Sequence, residues 1–168
     1  MSNKKLIAAA LAVAKTGLPV FPTHDKKPAW SNAELGVKKG EGGYKIATTD
    51  PKRIKELFSH ERATEIAVPM GEMSGLICID VDHHKSLSAK QWMLDNMDFL
   101  KDTRSHRTRN GGRHYTFKHP GDQHRFPSTL SEGVDLKAGG TGYVCWPGTE
   151  GYEVMNDFEV QDFPLEVL

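Results

Sequence analysis

Two aspartates at the end of an apolar strand are the residues of this sequence best suited to chemistry. Asp80 and Asp82 close the run Leu76-Ile77-Cys78-Ile79-Asp80-Val81-Asp82. Because side chains alternate along a strand, the pattern places Ile77, Ile79 and Val81 toward a core and both carboxylates on the opposite face. Two carboxylates so close together repel each other unless a cation lies between them, and hard divalent cations such as Mg²⁺ prefer oxygen ligands. The pattern therefore indicates a metal site, and the alternative is a strand that runs out into a solvated acidic turn.

A third acid follows the same logic further along the chain. In Gly133-Val134-Asp135-Leu136-Lys137 the two aliphatic residues predict a core-facing side, which leaves Asp135 and Lys137 together on the other face. Such a pair offers a further metal ligand and an amine that neutralises phosphate. The alternative is an exposed Asp–Lys face on an edge strand.

A glycine-rich turn supplies the basic part of the predicted site. Asn110-Gly111-Gly112 separates His106–Arg109 from Arg113–Lys118, which predicts a β-hairpin. Glycines let backbone N–H groups approach an anion closely, and three arginines surround the turn. Tyr115 and Phe117 take the apolar face and leave His114 on the other, where it fits a triphosphate contact. Taken alone, His114 is better explained by packing on a sheet.

Composition limits the class of protein and hides an uneven charge distribution. The chain has 168 residues, 22 basic against 22 acidic, and 38% hydrophobic residues, which is typical of one globular domain. Zero net charge argues against a protein that coats nucleic acid by bulk electrostatics. However, residues 1–60 carry 11 basic and 5 acidic side chains, and residues 101–125 carry 7 and 2. The excess positive charge lies around the predicted triphosphate turn and in a long N-terminal segment where a template could lie.

The elements that position these residues alternate between helix and strand, which predicts an α+β fold with a mixed sheet covered by helices. The N-terminus resembles a secretory signal, with Lys4-Lys5 before the apolar Leu6–Ala14, but the apolar segment is short for one. We therefore predict an Ala-rich helix there. We also predict a cytoplasmic protein with no membrane span. Cys78 and Cys145 are expected to be buried thiols. Four further elements are predicted: a long loop over Thr23–Thr48, a helix starting at Asp50-Pro51, a helix over Ser88–Leu100, and a hairpin joining Val134–Lys137 to Gly142–Trp146.

The order of the motifs resembles the bifunctional primase/polymerase branch of the archaeo-eukaryotic primase superfamily, from about Leu6 to Gly151. The metal motif of that family matches Asp80-Val81-Asp82, its small-x-His motif matches Gly112-Arg113-His114, and its final hydrophobic-acid motif matches Val134-Asp135. Lys137 stands where arginine is frequent, which keeps the charge but loses the two-pronged guanidinium.

The resemblance implies an N-terminal α/β unit joined to an RRM-like unit, with the active site in the cleft between them. It implies template-directed nucleotidyl transfer on single-stranded DNA, with NTPs and dNTPs as substrates. We expect residues 1–168 to form one catalytic domain, as a compact enzyme or as the N-terminal part of a larger replication protein with a replicative helicase or helicase domain as partner. The implied metal ligands for two Mg²⁺ or Mn²⁺ ions are Asp80, Asp82 and Asp135; the implied nucleotide contacts are His114 and Lys137, with Arg113, Gly111 and Gly112 as weaker candidates.

Two other functions fit the same residues. A metal-dependent replication-initiator endonuclease also carries acids and histidines on a sheet, but it needs a nucleophilic tyrosine, and Tyr115 is predicted to point into the core. A catalytically silent module that binds nucleotides or nucleic acid is the second alternative, against which the three acids argue.

Overall fold

The structure, a computed structural model, describes residues 3–168 and confirms the α+β class. The helices are α1 (Asn3–Lys15), α2 (Asn32–Leu35), α3 (Pro51–Phe58), α4 (Leu87–Asp95) and α5 (Met97–Leu100), with 3-10 turns at Gly43–Ile46 and Leu165–Val167. The strands are β1 (Phe21–His24), β2 (Lys27–Pro28), β3 (Glu65–Pro69), β4 (Leu76–Val81), β5 (Ser105–Arg107), β6 (Arg113–Lys118), β7 (Thr129–Ser131), β8 (Val134–Lys137), β9 (Tyr143–Cys145), β10 (Glu153–Val154) and β11 (Gln161–Asp162).

The described residues divide into two compact units, residues 3–69 with 143–150 and residues 70–142 with 151–168. The expectation of a single catalytic domain stays a prediction. Within residues 3–168, every helix is too short or too polar to cross a lipid bilayer.

The first unit is an antiparallel four-stranded sheet in the order β2-β1-β3-β9, with α1 and α3 packed on it and on each other. The predicted start of α3 is confirmed, since the Asp50 carboxylate accepts from the N–H groups of Lys52 and Arg53, and Pro51 takes the first helical position. The apolar face of α3 is fully buried against this sheet. Its members are Ile54, Leu57 and Phe58.

The second unit holds the predicted chemistry and is built on a mixed sheet in the order β10-β5-β6-β4-β8-β7, with β11 parallel to β6. One face of this sheet carries the apolar side chains of β4, β6 and β8, and residues of α4 and α5 pack against them. The core is therefore on the face predicted from the alternation in β4. Its central members are Ile77, Ile79, Val81, Tyr115, Phe117, Val134 and Leu136.

The prediction of a long loop over Thr23–Thr48 is wrong, because the segment contains β2, α2 and a 3-10 turn. Its helix is stabilised by a capping box in which the Ser31 hydroxyl accepts from the Glu34 N–H and the Glu34 carboxylate accepts from the Ser31 N–H. Gly36 ends the helix in the left-handed conformation. Local hydrogen bonds thus supply the order that the sparse apolar residues did not predict.

The predicted hairpin between Val134–Lys137 and Gly142–Trp146 is also wrong. Strand β8 pairs with β4 on one side and β7 on the other, so it has no edge left for β9, which pairs with β3 instead. The predicted helix over Ser88–Leu100 is interrupted at Asn96, where the Trp92 carbonyl accepts from both the backbone N–H of Asn96, at 3.1 Å, and its side-chain amide, at 2.7 Å.

Candidate active site

Three of the predicted site residues lie in one row across adjacent strands. Asp80 on β4 is directly opposite His114 on β6 and directly opposite Asp135 on β8. Residues in such antiparallel pairs project to the same face, with Cα atoms about 4.5–5.5 Å apart. The fold therefore brings an imidazole and two carboxylates together on the face opposite the core.

Asp80 contacts the imidazole of His114. Its Oδ1 lies 3.5 Å from His114 Nε2, and the two side chains are 23% and 6% exposed. The other ring nitrogen of His114, Nδ1, is buried and has no hydrogen-bond partner among the described residues. The ring of Tyr152 lies with its centroid 6.2 Å from that of His114. The histidine is thus held against the sheet beside an acid, with one polar atom unused.

Asp135 interacts with two donors on its own face. The Lys137 ammonium donates to its Oδ2 at 3.3 Å, and the Thr129 hydroxyl donates to its Oδ1 at 3.4 Å. Lys137 itself is directly opposite Cys78 on β4. The prediction that Asp135 and Lys137 share the face of Asp80 is therefore confirmed, and both side chains remain partly open to solvent.

Asp82 lies just beyond β4, where its N–H donates to the Gly133 carbonyl at 2.9 Å. Its carboxylate faces Gly112 of the glycine-rich turn, and a Cβ at position 112 would come within 3.0 Å of Asp82 Oδ1 and of the Val81 carbonyl. Glycine at this position therefore leaves room beside the carboxylate. Lys85 Nζ is 3.9 Å from Asp82 Oδ2.

The weaker nucleotide-binding candidates do not gather around Asp80. Arg113 is directly opposite Val81, whose side chain is in the core, so the register places Arg113 on the other face from His114. The Gly111 N–H donates to the Thr108 carbonyl at 3.0 Å, so it serves the turn. The predicted hairpin itself is confirmed as β5 and β6.

The site face also carries three buried residues outside this row, of which sequence reasoning missed His106. His106 is directly opposite His114, and Cys78 is directly opposite Thr116. All three are almost completely buried, and burial raises the pKa of the Cys78 thiol well above its usual value. His106 could have been predicted from the position of the Asn110–Gly112 turn. A tight hairpin fixes which residues lie opposite each other, and this one sets His106 opposite His114.

Burial lowers the pKa of His106 to about 3, and the positive charges of His114 and Arg104 add to the effect. The unfolded chain therefore binds a proton at this position below about pH 6.5, whereas the folded chain stays neutral there until about pH 3. The contribution of neutral His106 to the free energy of unfolding is therefore fully present above pH 6.5. It is lost as the pH falls below 6.5, by up to about 1.4 kcal/mol per pH unit.

We expect His106→Gln to flatten the decline in the free energy of unfolding between pH 7 and pH 4.5, measured by urea titration. His84→Gln, at an exposed histidine, is the control and is expected to follow the wild type. Parallel curves for His106→Gln and the wild type would contradict the assignment.

The three acids of the site are of a chemical type that suits a divalent cation. Asp80, Asp82 and Asp135 offer only carboxylate oxygens, which Mg²⁺ and Mn²⁺ prefer, and Gly112 leaves space next to one of them. As the side chains stand, however, residues 3–168 contain no group of three or more His, Cys, Asp or Glu arranged to hold a metal ion. The strand register does place two potential metal ligands, Asp80 and Asp135, directly opposite each other.

The comparisons with known proteins decide the family. A family model described as bifunctional DNA primase/polymerase, N-terminal, matches residues 10–165. The chain belongs to this family. None of the curated proteins searched matches it.

Membership in the bifunctional DNA primase/polymerase family confirms the resemblance drawn from the motif order. It assigns the chain to a primase/polymerase-type family of nucleotidyltransferases, whose substrates are DNA and nucleotides. The metal motif, the small-x-His motif and the hydrophobic-acid motif all lie inside the matched residues. Each contributes one residue to the row across the sheet, namely Asp80, His114 and Asp135.

Proposed function

We propose that the chain is a DNA primase/polymerase catalytic domain that makes or extends primers on single-stranded DNA by adding nucleotides to a 3′-hydroxyl. The observation that carries the proposal is the register that sets Asp80 between Asp135 and His114 on one face of the sheet. Acids that suit metal ions and bases that suit phosphates are what nucleotidyl transfer requires.

In this proposal Asp80, Asp82 and Asp135 hold Mg²⁺ or Mn²⁺. When bound, such ions lower the pKa of the attacking hydroxyl and neutralise the leaving pyrophosphate. The acids bring three negative charges to one face of the sheet, and Lys137, 3.3 Å from Asp135, already offsets part of that charge. Neighbouring negative charges make this face favourable for cations.

His114 and Lys137 bind the incoming triphosphate in this proposal. Lys137 lies on the same face as Asp80, and its ammonium can neutralise phosphate oxygens as a point charge. Asp80 Oδ1 lies 3.5 Å from Nε2, and the His114 side chain is 6% exposed, so its surroundings restrict the movement of the ring. The nearby carboxylate and the buried sheet surface together pre-organise the ring.

The endonuclease alternative is less well supported. Tyr115 is 6% exposed and belongs to the apolar core, and burial raises the pKa of its phenol. A phenol so placed is a poor nucleophile because ionisation is disfavoured and DNA has no access to it. A replicative helicase as partner, and synthesis without a primer, stay predictions of the resemblance.

Primer extension tests the proposal. The chain is incubated with a primed single-stranded template, NTPs or dNTPs, and Mg²⁺ or Mn²⁺; we expect products longer than the primer that disappear when EDTA removes the metal. Cleavage of the template without incorporation would support the endonuclease. Binding of nucleotides or DNA with neither reaction would support the silent module.

A further inference from the structure

A lysine-rich part of the first unit is folded by local contacts. We call residues 25–46 the lysine lobe. The lobe folds back on itself at Gly42, where any side chain would run into Asn32 and Leu35. The lobe is fixed to α3 by the Trp30 indole, which donates to the Leu57 carbonyl at 2.8 Å. It is therefore a defined surface of the fold. Its five lysines are Lys26, Lys27, Lys38, Lys39 and Lys45.

All five lysines are exposed, and across residues 3–168 none of them has a carboxylate oxygen within 4.0 Å of its ammonium. The acids of the lobe are occupied elsewhere. Glu34 accepts from the Ser31 N–H and contacts His60, and Glu41 accepts from the Lys38 N–H. Asp25 lies 3.5 Å from the His24 ring. With five lysines against three acids, the lobe carries a net charge of +2, and its lysine ammoniums are left to contact a ligand from outside.

Lys26 occupies a conformation that favours glycine. Its φ is 62°, and the turn is maintained because the buried Glu65 carboxylate accepts from the Lys26 N–H at 2.8 Å while the Tyr143 hydroxyl donates to the Lys26 carbonyl at 2.8 Å. These two contacts use backbone atoms, so glycine would satisfy them with less strain. Asp25 and Lys26 form the two-residue turn between β1 and β2, which requires a positive φ at both positions, so the conformation follows from the hairpin.

We propose that the lysine lobe binds the sugar–phosphate backbone of single-stranded DNA. The inference rests on the proposed function, which requires a template strand. Lysines contact phosphates as flexible point charges, and such contacts position a strand without reading its sequence. Binding of this kind releases condensed cations, so the affinity falls linearly with salt concentration on logarithmic axes.

The slope of that line tests the inference. With a fluorescent oligothymidylate as probe, we expect the double variant Lys38→Gln/Lys39→Gln to reduce the slope by about 1.4 and to weaken binding about tenfold near 0.1 M salt. Lys90→Gln/Lys101→Gln is the matched control, since both lysines are exposed and lie on or just after the helices that cover the opposite face of the second sheet. The control is expected to retain the wild-type slope.

Lys26→Gly separates binding from folding. It keeps the N–H and carbonyl that Glu65 and Tyr143 contact and relieves the left-handed backbone, so the melting temperature should stay the same or rise. The salt slope should nevertheless fall by about 0.7.

Slopes equal to the wild type in both lobe variants would overturn the inference. Primer extension by the wild type keeps the two proposals distinct. Failure to incorporate nucleotides together with the expected slopes would reject the polymerase and leave the binding surface, whereas incorporation with unchanged slopes would reject only the surface.

Discussion

Asp80→Asn is expected to reduce metal-dependent nucleotide incorporation by about 10³-fold, a loss typical of removing one essential electrostatic contact. Asparagine has nearly the same shape, but it lacks the negative charge that attracts a divalent cation. It fills the same space beside His114, whose Nε2 lies 3.5 Å from the Asp80 carboxylate, so the sheet should keep its packing. The free energy of unfolding should change by less than about 1 kcal/mol. Primer extension measures the first effect, and a urea titration measures the second.

Asp162→Asn is the matched control for Asp80→Asn. Asp162 lies in the same unit, its side chain is 92% exposed, and it forms a surface ion pair with Lys118 at 3.5 Å. Incorporation by this variant is expected to equal that of the wild type. Full activity of Asp80→Asn would remove Asp80 from the site, and with it the row on which the proposed function rests.

Phe117→Ala is expected to lower the free energy of unfolding by about 3–5 kcal/mol. Phe117 is 1% exposed and lies opposite Ile77 on β4, with the rings of Phe99 and Phe163 at 6.2 and 5.9 Å. Truncation to alanine leaves a cavity. Because β6 is hydrogen-bonded to β4 on one side and to β5 on the other, the backbone cannot shift to fill it. Since total stability is typically about 5–15 kcal/mol, this single change removes a large part of it.

Phe158→Ala controls for the loss of an aromatic ring as such. Phe158 is 47% exposed, so its removal should change the free energy of unfolding by less than about 1 kcal/mol. Equal effects of the two substitutions in urea titrations would contradict the placement of Phe117 in the core under the site.

Local patterns predicted the strand that carries Asp80 because an apolar run from Leu76 passes into alternating apolar and acidic residues at Ile79–Asp82. They also predicted which side of β8 bears Asp135, and where α3 begins. In each case the interactions that determine the structure lie within a few residues of each other. In the two strands every second side chain is buried, and in α3 an aspartate caps the first turn of the helix.

What local patterns did not predict depends on distant partners. The opposition of Asp80 to both His114 and Asp135 is a matter of register between strands 30 to 60 residues apart, and nothing near Asp80 in the sequence specifies it. The wrong hairpin has the same origin, because β9 follows β8 closely but pairs with β3. The order of residues 25–46 was missed for a different reason, since capping and turn bonds replace apolar periodicity there.

The pairing of β3 with β9 also bears on how the chain is synthesised. The first unit takes its last strand from residues 143–145, after the whole stretch 70–142 has been made. A ribosome therefore releases the segment that carries Asp80, His114 and Asp135 before the N-terminal sheet can be completed. Closing so long a loop is entropically unfavourable and slow compared with forming the hairpin of β5 and β6. Until β9 pairs with it, the free edge of β3 can pair with a strand of another chain. The nascent protein therefore depends on prompt folding of residues 70–142.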